Sequence, residues 1–216
     1  MAECHIETAM QTYAAHGAIC TELDRDQAIA ALVDDYVTDR QANGSSASRL
    51  ALAHRRKDVH AINQAIKAAL REKEGSKPEA LFDTDHGPRA SGEGDRILFT
   101  RNDATLNVRN GMLATVAKIS HRQLTVRFDP DESGQSRNLA FSPAAFPSID
   151  HGFSVTNHRS QGCTVDRSFI LSSTTLDEHL NYVAMTRYKN EAKFYTAPEI
   201  RQWERRLGLK QIQPIQ

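Results

Sequence analysis

The segment that decides the fold reads SVTNHRSQGCTVDRSFIL at residues 154–171 and, shortly afterwards, LNYVAMTR at residues 180–187. Residues 167–171 are a short apolar run typical of a strand, and residues 176–185 have the apolar spacing of a helix. The turn Ser160-Gln161-Gly162 offers a hydroxyl, a side-chain amide and backbone N–H groups, which can hold phosphate or sugar oxygens. Each short piece is also common in ordinary turns. A ligand-binding segment is therefore indicated by the order and spacing of the whole set.

Strand and helix patterns alternate on both sides of this segment. Upstream, the apolar spacing predicts a helix over residues 26–40 that ends at Asn43-Gly44, a strand over 48–53 and a helix over 55–72. Downstream, residues 192–195 predict a strand, and Pro198 fits the first turn of a last helix that runs to Leu207. Such alternation predicts an α/β domain built on a parallel sheet.

The middle of the chain has a different pattern. Residues 73–94 are rich in Lys, Glu, Gly, Pro and Asp, and we expect an exposed connection there. Residues 96–100, 111–119 and 123–128 are short β-type runs separated by turn residues. A run of strands inside an α/β chain predicts a small inserted β barrel.

Composition restricts the setting of the protein. The chain has 216 residues, zero net charge and no apolar run near the roughly 20 residues that span a bilayer. Its three cysteines, Cys4, Cys20 and Cys163, have neither disulfide nor metal spacing, and its first residues lack a secretory signal pattern. We therefore expect a cytoplasmic protein without a membrane partner.

Charge is unevenly distributed along the chain. The net charge is −6 for residues 1–44, +4 for residues 45–149 and +2 for residues 150–216. The positive excess begins where the motifs begin. Charge alone, however, favours ordinary solvated surfaces over a nucleic-acid interface, because nucleic-acid-binding domains are usually strongly basic.

The segment at residues 154–187 resembles motifs V and VI of superfamily 1 helicases of the RecD-like branch. In that branch a Thr-x-His-Lys-Ser-Gln-Gly segment precedes a Tyr-Val-Ala-x-Thr-Arg segment. The matching residues here are Thr156, His158, Arg159, Ser160, Gln161, Gly162, Tyr182, Val183, Ala184, Thr186 and Arg187. Two positions depart from the pattern, since Asn157 replaces an apolar residue and Arg159 replaces the usual lysine.

Two upstream segments extend the resemblance. LALAHRRKDVHAIN at residues 50–63 resembles the strand and helix around motif IV, and residues 94–102 and 108–111 resemble the small barrel that these helicases insert in their second motor domain. The residues in these motifs are most similar to those of the relaxase-helicases of conjugative plasmids, the TraA or MobA kind. The resemblance implies a RecA-like, P-loop NTPase-type parallel sheet with an inserted Src-homology-3-like β barrel.

The resemblance also implies roles for individual residues. Motif VI supplies an arginine finger to the γ-phosphate of ATP, which would be Arg187. The nucleotide side would further include Gln161, Gly162 and Arg55, although the sequence does not decide between Arg55 and Arg56. Single-stranded DNA would be contacted by Thr156, His158, Arg159, Ser160, Arg101 and Asn110.

The sequence has no Gly-x-x-x-x-Gly-Lys-Ser/Thr loop for the phosphates. Asp177-Glu178 does not directly follow a buried strand, so we interpret it as a helix start rather than a Mg²⁺-holding acidic pair. We therefore expect ATP and Mg²⁺ to bind only together with a first RecA-like domain, and none to bind tightly to this chain. The relaxase chemistry of the family would likewise belong to an N-terminal partner domain, and no metal site is expected here.

These inferences give four expected segments. They are a helical lead-in over 1–44, the first part of the second RecA-like domain over 45–94, the barrel over 95–146 and the rest of the RecA-like domain over 147–216. The expected function is part of an ATP-dependent DNA helicase motor, inactive as an ATPase by itself. The alternative is a stand-alone, non-catalytic nucleic-acid-binding module derived from a helicase.

Overall fold

The computed structural model describes residues 18–44, 47–75, 77–120, 122–130, 134–156, 165–172 and 188–197. These residues form two compact units. One unit contains the described residues up to Ile66 and those from Ser154 onward, and the other runs from Lys67 to Phe153. The predicted helices over 176–185 and 198–207, and the Asp177-Glu178 pair, lie outside the described residues.

The first unit is built on a five-stranded, all-parallel sheet. Its strands have the order β1-β12-β11-β2-β10. Their bounds are β1 (Ile19–Thr21), β2 (Arg49–Ala53), β10 (Ser154–Thr156), β11 (Val165–Leu171) and β12 (Tyr188–Thr196). Strand β2, which lies next to the central strand β11, is buried along its whole length, as expected for an inner strand of a parallel sheet covered on both faces.

Two described helices accompany this sheet. Helix α1 (Arg25–Asn43) begins after Asp24, whose side chain accepts a hydrogen bond from the Gln27 amide at 2.8 Å, and ends at Gly44, where φ is 64°. Helix α2 (Arg56–Glu74) follows β2. The core of the unit comprises Ala28, Leu32, Tyr36, Val37, Leu50, Leu52, Ile62, Ile66, Val155, Phe169, Ile170, Phe194 and Tyr195.

The second unit contains a five-stranded antiparallel sheet with the order β8-β7-β6-β5-β9. The bounds are β5 (Arg96–Phe99), β6 (Leu113–Ser120), β7 (Gln123–Phe128), β8 (Asn138–Phe141) and β9 (Ile149–His151). Its buried face packs several phenylalanines together, with the Phe99 ring 5.5 Å from Phe128 and 5.6 Å from Phe141. Strands β8 and β9 lie at the edges of this order among the described residues, and the barrel stays a prediction.

One prediction about this unit was wrong. The stretch expected to be an exposed connection contains a β hairpin, β3 (Glu79–Thr84) and β4 (Gly87–Gly92). This hairpin is held by polar contacts with a residue outside it, which the local sequence does not reveal. The Lys67 ammonium donates to the Ala90 carbonyl and forms an ion pair with Glu79 at 3.0 Å and with Asp95 at 3.1 Å. Burial lowers the pKa of Lys67.

Gly152 joins the last strand of the antiparallel sheet to the parallel sheet. Its N–H donates to the Arg96 carbonyl at 2.8 Å, and a Cβ at this position would lie 2.6 Å from the Ile97 backbone carbon. Only glycine permits so close an approach between two backbones. The residue therefore fixes the path of the chain immediately before Ser154.

Candidate functional site

The carboxyl edge of the parallel sheet brings two of the predicted site residues near each other. Strands β2 and β10 are neighbours, and Ala53 at the end of β2 is the partner of Thr156 at the end of β10. Arg55 follows Ala53 by two residues, and both Arg55 and Thr156 are half-buried. In open α/β sheets, ligands bind outside the carboxyl ends of the strands. Thr156 and Arg55 are therefore placed where a ligand would be expected.

Helix α2 begins immediately beyond Arg55. The Arg55 carbonyl accepts hydrogen bonds from the amides of Asp58 at 3.0 Å and Val59 at 3.1 Å, which starts the helix. Arg56 and Lys57 lie in the first turn and are exposed. The N-terminal end of a helix already carries partial positive charge, so cationic side chains there repel it unless an anion is present. This helix end suits a phosphate or another anion.

A buried carboxylate ties the two helices together at their first turns. Asp58 of α2 is 3% exposed and accepts from the Arg25 guanidinium of α1, with a Nε–Oδ1 distance of 3.1 Å and a second, closer contact to Oδ2. Because both oxygens of the Asp58 carboxylate accept from Arg25, this carboxylate is not available to bind a ligand. The basic groups at the start of α2 are thus left without a neutralising acid from that first turn.

His54 is a further candidate that the sequence analysis did not assign. It lies between the end of β2 and Arg55, and its Nδ1 atom is buried with no hydrogen-bond partner in the part of the chain that the structure describes. A buried ring nitrogen normally has a partner, so its position at the carboxyl edge makes it a candidate ligand contact. The only signal in the sequence was its place directly after a strand.

The second unit holds the other two described candidates, Arg101 and Asn110. Both lie in the exposed loop between β5 and β6. The loop is closed on itself, because the Asn110 amide donates to Asn102 Oδ1 at 2.7 Å and Asp103 bridges to Val108. The Arg101 guanidinium carbon lies 5.1 Å from the centre of the Phe146 ring. The loop therefore holds the Arg101 cation against the Phe146 ring and the Asn102 side chain against the Asn110 backbone at the surface.

A second arginine reaches the same loop. Arg137 donates to the Asn107 carbonyl, and its guanidinium carbon lies 4.0 Å from the centre of the Phe128 ring. Arg109, in the loop itself, is exposed. Guanidinium groups held against aromatic rings keep their outer N–H donors available, which suits contacts with phosphate oxygens or base edges.

The remaining predicted site residues are His158, Arg159, Ser160, Gln161, Gly162 and Arg187. All of them lie outside the described residues. The structure thus brings together Arg55 and Thr156 in one unit and Arg101 and Asn110 in the other, and the roles of the full set stay predictions.

Other site types find little support among the described residues. Within those ranges, no group of three or more His, Cys, Asp or Glu side chains could hold a metal ion. Burial and the neighbouring Glu22 carboxylate raise the pKa of Cys20 to about 11, so this thiol stays protonated near neutral pH and is a poor nucleophile. Among the helices that are described, none is long and apolar enough to cross a membrane.

The predicted resemblance to TraA-type proteins is confirmed by comparison with curated proteins. The chain is 34% identical to the conjugal transfer protein TraA of Agrobacterium fabrum over 196 residues, and 33% identical to TraA of Rhizobium radiobacter over 195 residues. Each match covers 90% of this chain but only 17% of the relative. The chain is therefore similar to one small part of these proteins. No protein-family model matches the chain.

The solved structures are similar at the level of the fold. Pif1 helicase from Bacteroides, in complex with ADP-AlF3 and single-stranded DNA, aligns over 92% of this chain and 49% of that protein, with a TM-score of 0.50 and 17% identity. The mixed α/β architecture with a parallel sheet is thus similar to the fold of that Pif1 helicase.

Proposed function

We propose that this chain forms the second RecA-like portion of the DNA helicase motor of a conjugal transfer protein. The observation that supports this most strongly is the carboxyl edge of the parallel sheet. There, Arg55 and Thr156 flank the positively charged start of α2, in a chain similar to part of TraA over nine-tenths of its length. The relatives are far longer than this chain, so the motor would include further domains.

In this proposal the chain supplies one side of a shared ATP site. Arg55, Gln161 and Gly162 would contact the nucleotide, and Arg187 would stabilise the charge that develops on the γ-phosphate oxygens. The start of α2 fits a phosphate group. Mg²⁺ and the main phosphate contacts would come from another domain with Walker sequences, because this sequence has no Gly-x-x-x-x-Gly-Lys-Ser/Thr loop.

Each unit would contribute residues of its own that contact single-stranded DNA. Thr156, His158, Arg159 and Ser160 would contact the strand from the first unit, and Arg101 and Asn110 from the second. The cations would meet phosphates, which gives binding without sequence preference. We further propose that residues 95–146 correspond to the Src-homology-3-like barrel, between RecA-like segments at 45–94 and 147–216 and after a lead-in at 1–44. A relaxase partner domain and a cytoplasmic setting complete the proposal.

The alternative is a non-catalytic nucleic-acid-binding module. The exposed loop with Arg101, Arg109 and Asn110 favours it, because that loop needs no nucleotide to present its donors. The helicase motor portion and the non-catalytic module differ in one respect. Only the motor portion needs Arg187 and the start of α2, which would take part in ATP binding and hydrolysis.

Fluorescence anisotropy with a labelled oligo-dT tests the DNA-binding part of both. We expect weak binding at low salt, with an affinity that falls steeply as salt rises because counterions are released from the DNA. Arg55→Ala, at the proposed nucleotide side, should leave binding nearly unchanged. Absence of binding at low salt, or binding that salt does not weaken, contradicts the proposal.

A further inference from the structure

A buried amide connects helix α2 to the strand that leads into the candidate DNA-binding segment. Asn63 is 5% exposed and lies about two turns after Arg55 on α2. Its Oδ1 accepts from the Ser154 N–H at 2.9 Å, and its Nδ2 donates to the Ser154 carbonyl, also at 2.9 Å. Nδ2 donates in addition to the Val59 carbonyl at 3.0 Å, which fixes the side chain against its own helix.

The strand that Asn63 holds is short and lies at the edge of the sheet. β10 has three residues, and among the described strands it pairs with β2 alone. Because the N–H and C=O groups of one residue point to the same side of a strand, the amide takes the place that a neighbouring strand would have at Ser154. The Asn63 side chain therefore adds two hydrogen bonds to the attachment of a strand that has three paired residues.

The chemistry of the contact favours a role in geometry over one in stability. A buried amide must give up its hydration, and its hydrogen bonds to protein largely replace hydrogen bonds to water. An apolar side chain of similar volume would fill the space without that cost. The amide does what an apolar group cannot, because it holds both the N–H and the C=O of Ser154 and so fixes the position and orientation of that residue's backbone.

We propose that Asn63 is a positioning residue, which holds Thr156 in register with the start of α2. Thr156 follows Ser154 by two residues, and Arg55 directly precedes the helix that carries Asn63. A shift of Ser154 would therefore move Thr156 relative to Arg55. The proposal rests on the proposed function only for the identity of the ligand, single-stranded DNA.

The test compares three variants of the whole chain. Asn63→Asp keeps the shape but places a carboxylate oxygen against the Ser154 carbonyl, and Asn63→Ser removes the clamp while leaving room for water. Ile62→Ala is the matched control, since Ile62 is the preceding residue on α2, is 0% exposed and is apolar. All are measured where circular dichroism shows each variant fully folded.

Two measurements are made on each variant. The first is anisotropy with labelled oligo-dT at low salt, in which we expect both Asn63 variants to bind about tenfold more weakly and Ile62→Ala to bind as the wild type does. The second is hydrogen exchange of peptides that cover residues 153–164, in which we expect faster exchange for the Asn63 variants alone. If one Asn63 variant does not fold, the other decides.

The outcomes separate the two proposals. Absence of oligo-dT binding by the wild type overturns the proposed function, and the exchange measurement still decides the role of Asn63. Wild-type exchange over residues 153–164 in the Asn63 variants overturns the positioning role, as does an equal effect of Ile62→Ala. Selective loss of DNA affinity together with selective exchange supports it.

Discussion

The two units present their candidate ligand-binding groups in different ways. In the parallel-sheet unit, Arg55 and Thr156 are distant in sequence and meet because β2 and β10 are neighbours. In the antiparallel unit, Arg101 and Asn110 belong to one loop, which closes on itself through Asn102. The first arrangement depends on the whole topology and the second on local turn chemistry. Substitutions should therefore have coupled effects in the first unit and separable effects in the second.

The largest expected difference concerns Arg187, in the parallel-sheet part of the sequence. In a longer protein in which this segment is joined to a Walker-type domain, Arg187→Ala should lower DNA-stimulated ATP hydrolysis by about 10³-fold or more while nucleotide binding persists. Arg187→Lys should recover little, because a point charge does not reproduce the planar guanidinium. Arg101→Ala should leave turnover within a few-fold at saturating DNA. Normal turnover of Arg187→Ala would remove the arginine-finger assignment.

Two arginine–aspartate ion pairs, one in each unit, test whether substitutions lower stability more in the parallel-sheet unit than in the antiparallel unit. The Arg25 and Arg89 side chains are 18% and 19% exposed, but their partners Asp58 and Asp150 are 5% and 28% exposed. Arg25→Gln leaves a buried carboxylate without its cation and should lower the free energy of unfolding by about 2–3 kcal/mol. Arg89→Gln should lower it by about 0–1 kcal/mol. Urea denaturation would measure both, and equal losses would argue against the distinction.

The loop of the antiparallel unit should behave locally. Arg101→Ala should reduce the slope of log affinity against log salt by about 1, as expected for one lost phosphate contact. Arg122→Ala is the control, because Arg122 is exposed in the turn between β6 and β7 and belongs to no candidate site. Equal slope changes in the two variants would indicate diffuse attraction rather than a defined contact.

The smallest effect concerns pH and the antiparallel unit. Burial, with a smaller contribution from the Lys67 charge, lowers the pKa of His151 from 6.5. The hydrogen bond between Nε2 and the Ala90 carbonyl, at 3.1 Å, and the carboxylates of Asp150 and Asp95 oppose this shift but do not cancel it. The unfolded chain then binds a proton that the folded chain does not, so stability falls as pH drops below about 6.5, by at most about 1.4 kcal/mol per pH unit. His151→Gln should flatten this dependence in urea denaturation, and the exposed His86→Gln should not. An unchanged slope in His151→Gln would contradict the argument.

Much of the secondary structure could be predicted from the sequence where a periodic pattern of apolar residues extends over a long segment. The helix expected over 26–40 spans Arg25–Asn43, the helix expected over 55–72 spans Arg56–Glu74, and the strand expected over 123–128 spans Gln123–Phe128. Apolar spacing over several turns, or strict alternation bounded by turn residues, determines such elements locally. The three-residue strands β1, β9 and β10 are too short to produce a pattern.

The rest depended on contacts between distant residues. The hairpin at 79–92 is held by Lys67 from helix α2, and polar residues in its sequence gave the pattern of a loop. The position of β10 beside β2, which brings Thr156 near the end of β2, follows from strand order and not from any local signal. Asn63 and His54 were missed as functional candidates for the same reason, since the partner of the Asn63 amide and the burial of the His54 Nδ1 atom exist only in the folded chain.

The central claim is that this chain is one part of a shared motor, and ATP hydrolysis by the purified chain tests it most directly. With Mg²⁺ and oligo-dT present, we predict no phosphate release above a control without protein, because Arg187 and Arg55 complete a site whose main phosphate contacts come from another domain. The same chain joined to a Walker-type domain should hydrolyse ATP in a DNA-stimulated manner. Turnover by the chain alone that is lost in Arg187→Ala would contradict the account.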